Sequence, residues 1–348
     1  MHRNFEKMSE MRTYWQIIPY TDRLNYCSSF MNGHGWALAV EKLLGISAPP
    51  RAEAIRVILS EFSRIMDHFV CISTNVVDLG AITPFFVVFR AREVIYELLE
   101  ACCGARLTVS YVRIGGLSQD VPEDFEARCR KALASVRDVT DQAHRLLTRN
   151  KIFVNRFKDV GALSKDDALS YGWVGPCLRA SGVAYDIRKD HPYSGYEQYD
   201  FDVPVGTVGD CYDRYLVRLE EIRQSIRIIE QALAKLPAGP VIVDDRKVAL
   251  PPKSEVYSNI ESLMNHFKLV YDGILAPPGE VYGYTEGANG ELGYYIVSNG
   301  RRHPWRVKVR PPCYNIYQAY PQMIRGGLLA DAVAIIGGLN VIAGELDR

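Results

Sequence analysis

Through the first two thirds of the chain, apolar residues recur in steps of three and four, the spacing that lines one face of an α-helix. Pro49-Pro50 opens one such stretch, with Ile55, Ile58, Phe62, Ile65 and Phe69 on a single stripe. Pro84 starts a second through Phe85, Phe89, Val94, Ile95 and Leu98, and Gly104 is its C-cap candidate. Pro122-Glu-Asp opens a more polar helix running to about Asn150, its acidic first turn suited to the helix dipole. The clearest rhythm lies at 212–236, where Leu216, Leu219, Ile222, Ile226, Ile229, Leu233 and Leu236 alternate with Arg and Glu. It predicts a long helix packed in a bundle.

Elsewhere the texture changes. Residues 171–210 are rich in Gly, Tyr, Pro and Asp. They predict an ordered but irregular segment, too aromatic for disorder. Residues 237–253, with Pro237, Pro240, Pro251 and Pro252, read as a linker. Beyond it, Glu280 to Thr285 and Leu292 to Val297 flank Gly287-Ala-Asn-Gly as a hairpin, and Trp305 to Arg310 alternates as a third strand. Short helices are expected near Gln318–Gly326 and Asp331–Ile336. The expected fold class is mainly α, a helical bundle with peripheral strands, in one domain over 1–348: bundle 1–236, linker 237–253, mixed part 254–348.

Composition narrows the function. The 348 residues are 48% hydrophobic, ample for a large core, and 41 Lys+Arg balance 41 Asp+Glu. A nucleic-acid partner would call for a basic excess. The start, Met-His-Arg-Asn-Phe-Glu-Lys, is charged and lacks the apolar run of a secretory signal. A membrane span needs ~20 mostly apolar residues. Leu328 to Leu346 is broken by Asp331, Asn340 and glycines, and Phe69 to Phe89 by Asn75, Asp78 and Pro84. Membrane attachment is therefore expected through partners. The eight cysteines make no C-x-x-C pair, so buried reduced thiols are expected rather than a metal centre. No phosphate-binding loop, nucleophile elbow or HxxxH pair is present.

What remains is polar content in apolar surroundings. Asp78 precedes the run at Pro84, and Tyr26 opens a helix candidate. Such a carboxylate is either a cap or packing partner, the commoner case, or a proton-handling group. A lone tyrosine is usually core or interface.

The strings themselves carry a resemblance. Asp22-Arg-Leu-Asn-Tyr, Leu38-Ala-Val-Glu-Lys-Leu-Leu-Gly, Asp78-Leu-Gly-Ala-Ile-Thr-Pro-Phe-Phe, Tyr111-Val-Arg-Ile-Gly-Gly, Phe201-Asp-Val-Pro, Gly290-Glu-Leu-Gly-Tyr-Tyr, Lys308-Val-Arg-Pro-Pro and the terminal Leu346-Asp-Arg occur in order from Phe5 to Arg348. This sequence resembles the 49-kDa (D-type) family of respiratory complex I, NADH:quinone oxidoreductase. The resemblance implies a fold like the large subunit of nickel–iron hydrogenases. It implies a small, B-type partner carrying a [4Fe–4S] cluster, a C-type and other peripheral-arm partners, and a membrane-arm subunit at the quinone channel. Quinone would be the substrate, with NAD(H) used by the complex and no metal or cluster ligated by this chain. Tyr26 would hydrogen-bond a quinone carbonyl, and its phenol would donate a proton as negative charge develops. Asp78 would support a family histidine on the other carbonyl. Arg23, Arg3 and Thr108 would lie near quinone or cluster, Arg23 as a charge favouring the reduced cluster or equally as a structural ion pair.

Departures from the family pattern are specific. The family's β-rich leader, Gly-Pro-x-His-Pro-Ser-x-His-Gly, is not matched, and no histidine here sits in such a string. A misassigned start, a separately encoded piece and an altered site all remain open. Asn4 stands for a common Gly, and Thr108 for a cluster-proximal His. The two C-x-x-C pairs of the hydrogenases are missing, which excludes hydrogen activation. Two readings result: an electron-transfer subunit active only in its complex, on the cytoplasmic side of a bacterial membrane, or a truncated scaffold paralogue that binds the small partner without reducing quinone.

Overall fold

The computed structural model describes residues 3–348; Met1 and His2 lie outside it. The apolar stripes become a bundle of four helices: Pro50–Asp78, Ile82–Cys103, Phe125–Ala143 and Cys211–Ala234. Ile55, Ile58, Phe62, Ile65 and Phe69 are all buried along the first of these. They share one core with Leu219, Ile222, Ile226 and Ile229 from the last. The second helix begins at Ile82, two residues before Pro84. A proline is tolerated in a first turn because those N–H groups have no acceptor within the helix. Gly104 closes it in the left-handed conformation, φ 77°, as its lack of a Cβ permits. The third helix passes into a π-helical turn at His144–Thr148 and stops at Asn150, whose side chain caps the next helix, Lys151–Phe157.

A second core joins the helix Ser29–Leu44 to an antiparallel sheet of Gly279–Gly287, Gly290–Ser298 and Arg306–Arg310, paired in that order. The first two strands are a hairpin with Gly287 opposite Gly290 around Ala288 and Asn289. Helix and sheet approach closely at Gly283, where a Cβ would fall 2.5 Å from the Cα and Cβ of Ala39. The fold is thus mainly helical with peripheral strands.

Three segments differ from expectation. Residues 237–253 are not a free tether: Leu117 N–H donates to the Val241 carbonyl and Val243 N–H to the Gly115 carbonyl, both at 2.8 Å. Ile242 thereby bridges to Gly116 of the short hairpin Val112–Arg113/Gly116–Leu117. The expected helix at Gln318–Gly326 is instead Pro312–Gln318 followed by the single turn Tyr320–Met323. Helices Lys253–Ser258 and Ile260–Tyr271 were not anticipated. In the longer one Ile260, Phe267, Val270 and Tyr271 are exposed, so its apolar residues do not follow the inward-facing pattern used elsewhere. No helix among the described residues is long and apolar enough to cross a membrane.

Candidate functional site

Tyr26 begins a three-residue 3-10 turn, Tyr26–Ser28. Asn25 folds that turn: its Oδ1 accepts from the N–H groups of Cys27 at 3.2 Å and Ser28 at 3.3 Å. Asn32 Nδ2 in turn donates to the Asn25 carbonyl at 2.9 Å. Two other segments clamp this loop. Buried Asp22 accepts from Ser110 N–H at 2.7 Å and Ser110 Oγ at 2.6 Å, and the Ser29 hydroxyl donates to the Leu107 carbonyl. On another side the C-terminal tail presses in at Gly344, where a Cβ would meet the carbonyl oxygens of Arg23 and Leu24 at 2.5 Å.

Held this way, the Tyr26 side chain is 41% exposed while its neighbours Asn25 and Cys27 are buried. Its hydroxyl is a weaker acid than free tyrosine, through partial burial first and then the neighbouring Cys27, Asp67 and Cys313. Burial likewise pushes the Asp22 carboxyl up to about 6, against the hydrogen bonds from Ser110 and the charges of Arg23 and Arg113.

Behind the turn, Cys27, Cys313 and Ile342 pack together with Val70 and Leu346 around them. Beside them lies a buried polar chain. Asn340 Nδ2 donates to Asp67 Oδ1 at 2.6 Å and to Asn289 Oδ1 at 2.7 Å. Asn289 Nδ2 reaches the Cys313 sulfur at 3.3 Å, and the Cys313 N–H donates to Glu345 Oε1 at 3.0 Å. All eight cysteines are free thiols. Burial raises Cys27 and Cys313 well above the ordinary thiol range, so both stay protonated.

The other expected residues are dispersed. Arg23 is exposed, and its guanidinium donates to the Pro19 carbonyl; among the described residues it makes no ion pair. Its charge acts on the neighbouring Asp22, which Ser110 of the 107–110 loop clamps. Thr108 is half-buried on that loop. Asp78 is the exposed last residue of the long helix. It is not a cap, because Ala81 holds the N-cap position of the following helix and makes no side-chain bond there. A carboxylate at a helix C-terminus faces the negative end of the dipole, so nothing local favours Asp78 in that place. It lies 11 residues beyond Asp67 on the same helix, about 16 Å at 1.5 Å per residue. Arg3 lines an open cavity of about 480 Å³ with Tyr314, Tyr317, Leu346 and Arg348.

The sequence reading missed Asp67, Asn289, Asn340 and Glu345. One signal was available: Asp67 interrupts the apolar run between Ile65 and Phe69 and is fully buried. The others come from the hairpin turn and the tail, which only the fold brings to Asp67.

The fold and this site define a mainly helical protein with a half-exposed tyrosine on a turn held from three sides. Among the described residues no group of His, Cys, Asp or Glu is arranged to hold a metal. Comparison with known proteins makes the class specific. Residues 78–348 match the family described as respiratory-chain NADH dehydrogenase, 49 Kd subunit. Over the whole chain it is 55% identical to the C/D subunit of NADH-quinone oxidoreductase from Bdellovibrio bacteriovorus, and it spans 62% of that relative's length. It is 50% identical to the D subunits of NADH-quinone oxidoreductase from Sorangium cellulosum and Myxococcus xanthus, covering 86% and 84% of them. The chain belongs to the 49-kDa subunit family of the respiratory-chain NADH dehydrogenase.

Proposed function

We propose that this chain works as the D subunit of an NADH:quinone oxidoreductase and forms one wall of the quinone-reduction site, with Tyr26 as the proton donor to quinone. The observation that supports it most is the setting of Tyr26: an exposed phenol on a turn fixed by Asn25, Asp22 and Gly344 from three sides. A ligand can reach the hydroxyl, and the rigid turn holds it in one place.

Reduction of a quinone takes up two electrons and two protons. An iron–sulfur cluster in a neighbouring subunit supplies the electrons, drawn from NADH elsewhere in the complex. This chain contributes position and one of the two protons, the second coming from water at the other quinone oxygen. As charge develops on the quinone oxygen, the Tyr26 O–H bond breaks and a quinol O–H bond forms. The resulting phenolate regains its proton from water at its exposed edge. A weakly acidic phenol suits this task, since it stays protonated until strong negative charge faces it.

Arg23 and Thr108, on the two loops that Asp22 and Ser110 clamp together, are the groups proposed to face the cluster-bearing subunit. Asp78 and Arg3 lie on surface that other partners would complete, Asp78 at the end of the bundle proposed to meet the membrane arm. The complex would sit on the cytoplasmic face of a bacterial membrane.

The test is Tyr26→Phe in the assembled complex. Quinone reduction should fall at least about a hundredfold, the lower end of what a positioned general acid contributes. Electron transfer from NADH to an artificial acceptor that bypasses quinone should persist. Undiminished quinone reduction overturns the assignment.

A further inference from the structure

Glu345 is a fully buried carboxyl directly behind the loop that carries Tyr26. The tail brings it there: Gly344, its neighbour, lies against the carbonyls of Arg23 and Leu24. Its Oε1 accepts the Cys313 N–H, and the Asn25 side chain, which folds the Tyr26 turn, also bonds it. Among the described residues no Lys or Arg pairs with it, nor with Asp67. A buried carboxylate without a cation is costly, so the neutral acid is favoured.

The groups facing this pair come from every element packed around it. The long helix supplies Asp67, His68 and Cys71; His68 is occupied by Glu221, at 2.8 Å. The Tyr26 turn supplies Asn25 and Cys27. Arg92, from the next helix, acts on Cys27 and stacks between Phe89 and Tyr96, each at 4.8 Å. Arg218 faces Cys71 and Asp67, and its guanidinium donates to the Gly338 carbonyl at 2.8 Å. The hairpin supplies Asn289 and the buried Tyr294, on which Glu345 acts, the helix Pro312–Gln318 supplies Cys313, and the end of helix Leu329–Leu339 supplies Asn340. Asp67 acts on both Tyr26 and Glu345.

We propose that Glu345 is a positioning residue for quinone reduction, holding a proton behind Tyr26 and, through Asp67, setting how readily the Tyr26 hydroxyl gives up its own. The inference rests on the reading of Tyr26 as donor to quinone. With Glu345 neutral, Asp67 is the one carboxylate acting on Tyr26 from behind. When Glu345 ionises, a second negative charge enters the cluster, the phenolate becomes harder to form, and donation slows. Burial, together with Asp67, pushes the Glu345 carboxyl up to about 7 against the hydrogen bonds from Cys313 and Asn25, which places the change in the working range. The role adds no chemical step, since the proton that reaches quinone is still the phenol's.

The experiment is the pH profile of quinone reduction, pH 5.5 to 9, by the assembled complex in membranes, each rate divided by that to an acceptor that bypasses quinone. The native complex should lose rate through a neutral-range ionisation. Glu345→Gln should carry its rate to higher pH, moving that limb by about one unit or more. Glu345→Asp should retain a neutral limb. Asp67→Asn keeps an oxygen for Asn340, so it preserves the fold. It removes the charge that holds the Glu345 carboxyl up, and it should move the limb to lower pH. It serves where the Gln variant does not assemble. Identical profiles for native, Glu345→Gln and Asp67→Asn complexes overturn the inference. A Tyr26→Phe complex with full activity overturns the underlying reading instead. A slow Tyr26→Phe complex beside unchanged profiles overturns only the role of Glu345.

Discussion

Two polar clusters are buried in this molecule, and they are built on opposite principles. The first lies between the bundle and the irregular 171–210 segment. There Glu61 accepts from Arg64 at 3.1 Å, from Arg188 at 3.1 and 3.2 Å, from Tyr196 at 2.7 Å and from Ser225 at 2.6 Å. Glu221 is shared by Arg179 and His68, both at 2.8 Å, and Asp186 takes Arg188 at 2.6 Å. The second, behind Tyr26, bonds Asp67 and Glu345 through amides, a thiol and backbone, with no salt bridge to either among the described residues.

The consequence shows in the acids. Burial alone would raise Glu61, but Arg64 and Arg188, helped by Ser225 and Tyr196, hold it down at about 2. Burial without a cation sends Glu345 to about 7. In the first cluster Glu61 and Glu221 keep one charge state across the physiological range, while Glu286, on Arg179 at 2.9 Å, is itself pushed by burial up to about 7. The second can change state near neutral pH. Carboxylates locked by cations fix the fold, whereas a labile one at the surface loop is suited to chemistry.

The largest test of this contrast is Arg188→Ala. It strips Glu61 and Asp186 of a shared guanidinium inside the core. Breaking a buried pair this way costs about 3–5 kcal/mol. Denaturant unfolding should show a loss of that order, or the chain should fail to accumulate folded. A loss under about 1 kcal/mol breaks the claim that the first cluster is structural.

Gly344→Ala comes next. Its Cβ would press on the Arg23 and Leu24 carbonyls, and overpacking of this kind costs about 1–3 kcal/mol. Gly283→Ala, with its Cβ 2.5 Å from Ala39, should cost a similar amount far from Tyr26. If the tail positions the Tyr26 turn, only the Gly344 variant should also raise the apparent KM for quinone. Equal kinetics in the two variants remove that role from the tail.

The pH dependence of stability separates Glu61 from Glu345 by sign. Glu61, depressed when folded, contributes stability present above its unfolded value of ~4.3 and lost as pH falls through about 2. Glu345, raised when folded, contributes stability present below ~4.3 and lost as pH rises through about 7. Glu345→Gln should therefore lessen the fall in Tm between about pH 4.5 and 7, to which Asp22 and Glu286 also contribute, and leave the acid limb in place. The smallest expected effect is that of Tyr26→Phe on stability, within about 0.5 kcal/mol, as for other exposed positions. A larger loss assigns the phenol to packing.

The bundle was legible in the sequence because its helices bury one periodic face; Ile55, Phe62 and Phe69 announce their own burial. The hairpin was legible for the same local reason, with Gly287 and Gly290 bracketing a two-residue turn. Helix Ile260–Tyr271 was not, because Phe267 and Tyr271 face outward and break the inward rule. The 237–253 segment looked like a tether because its prolines hide the two hydrogen bonds that Val241 and Val243 make. At the site, Tyr26 was named from its string. The base of the site joins positions 25, 67, 289, 313, 340 and 345, and no local pattern links residues that far apart. Asp78, also named from its string, stands exposed at the end of the long helix.

The central claim is that quinone meets the Tyr26 turn. A photoreactive quinone analogue, activated in the native complex during turnover, tests it most directly when the labelled peptides are mapped by mass spectrometry. The account predicts label on the 22–28 segment, competed away by excess quinone, with additional label on the neighbouring cluster-bearing protein. Competed label confined to other surfaces, with the Tyr26 peptide recovered unmodified, would contradict it.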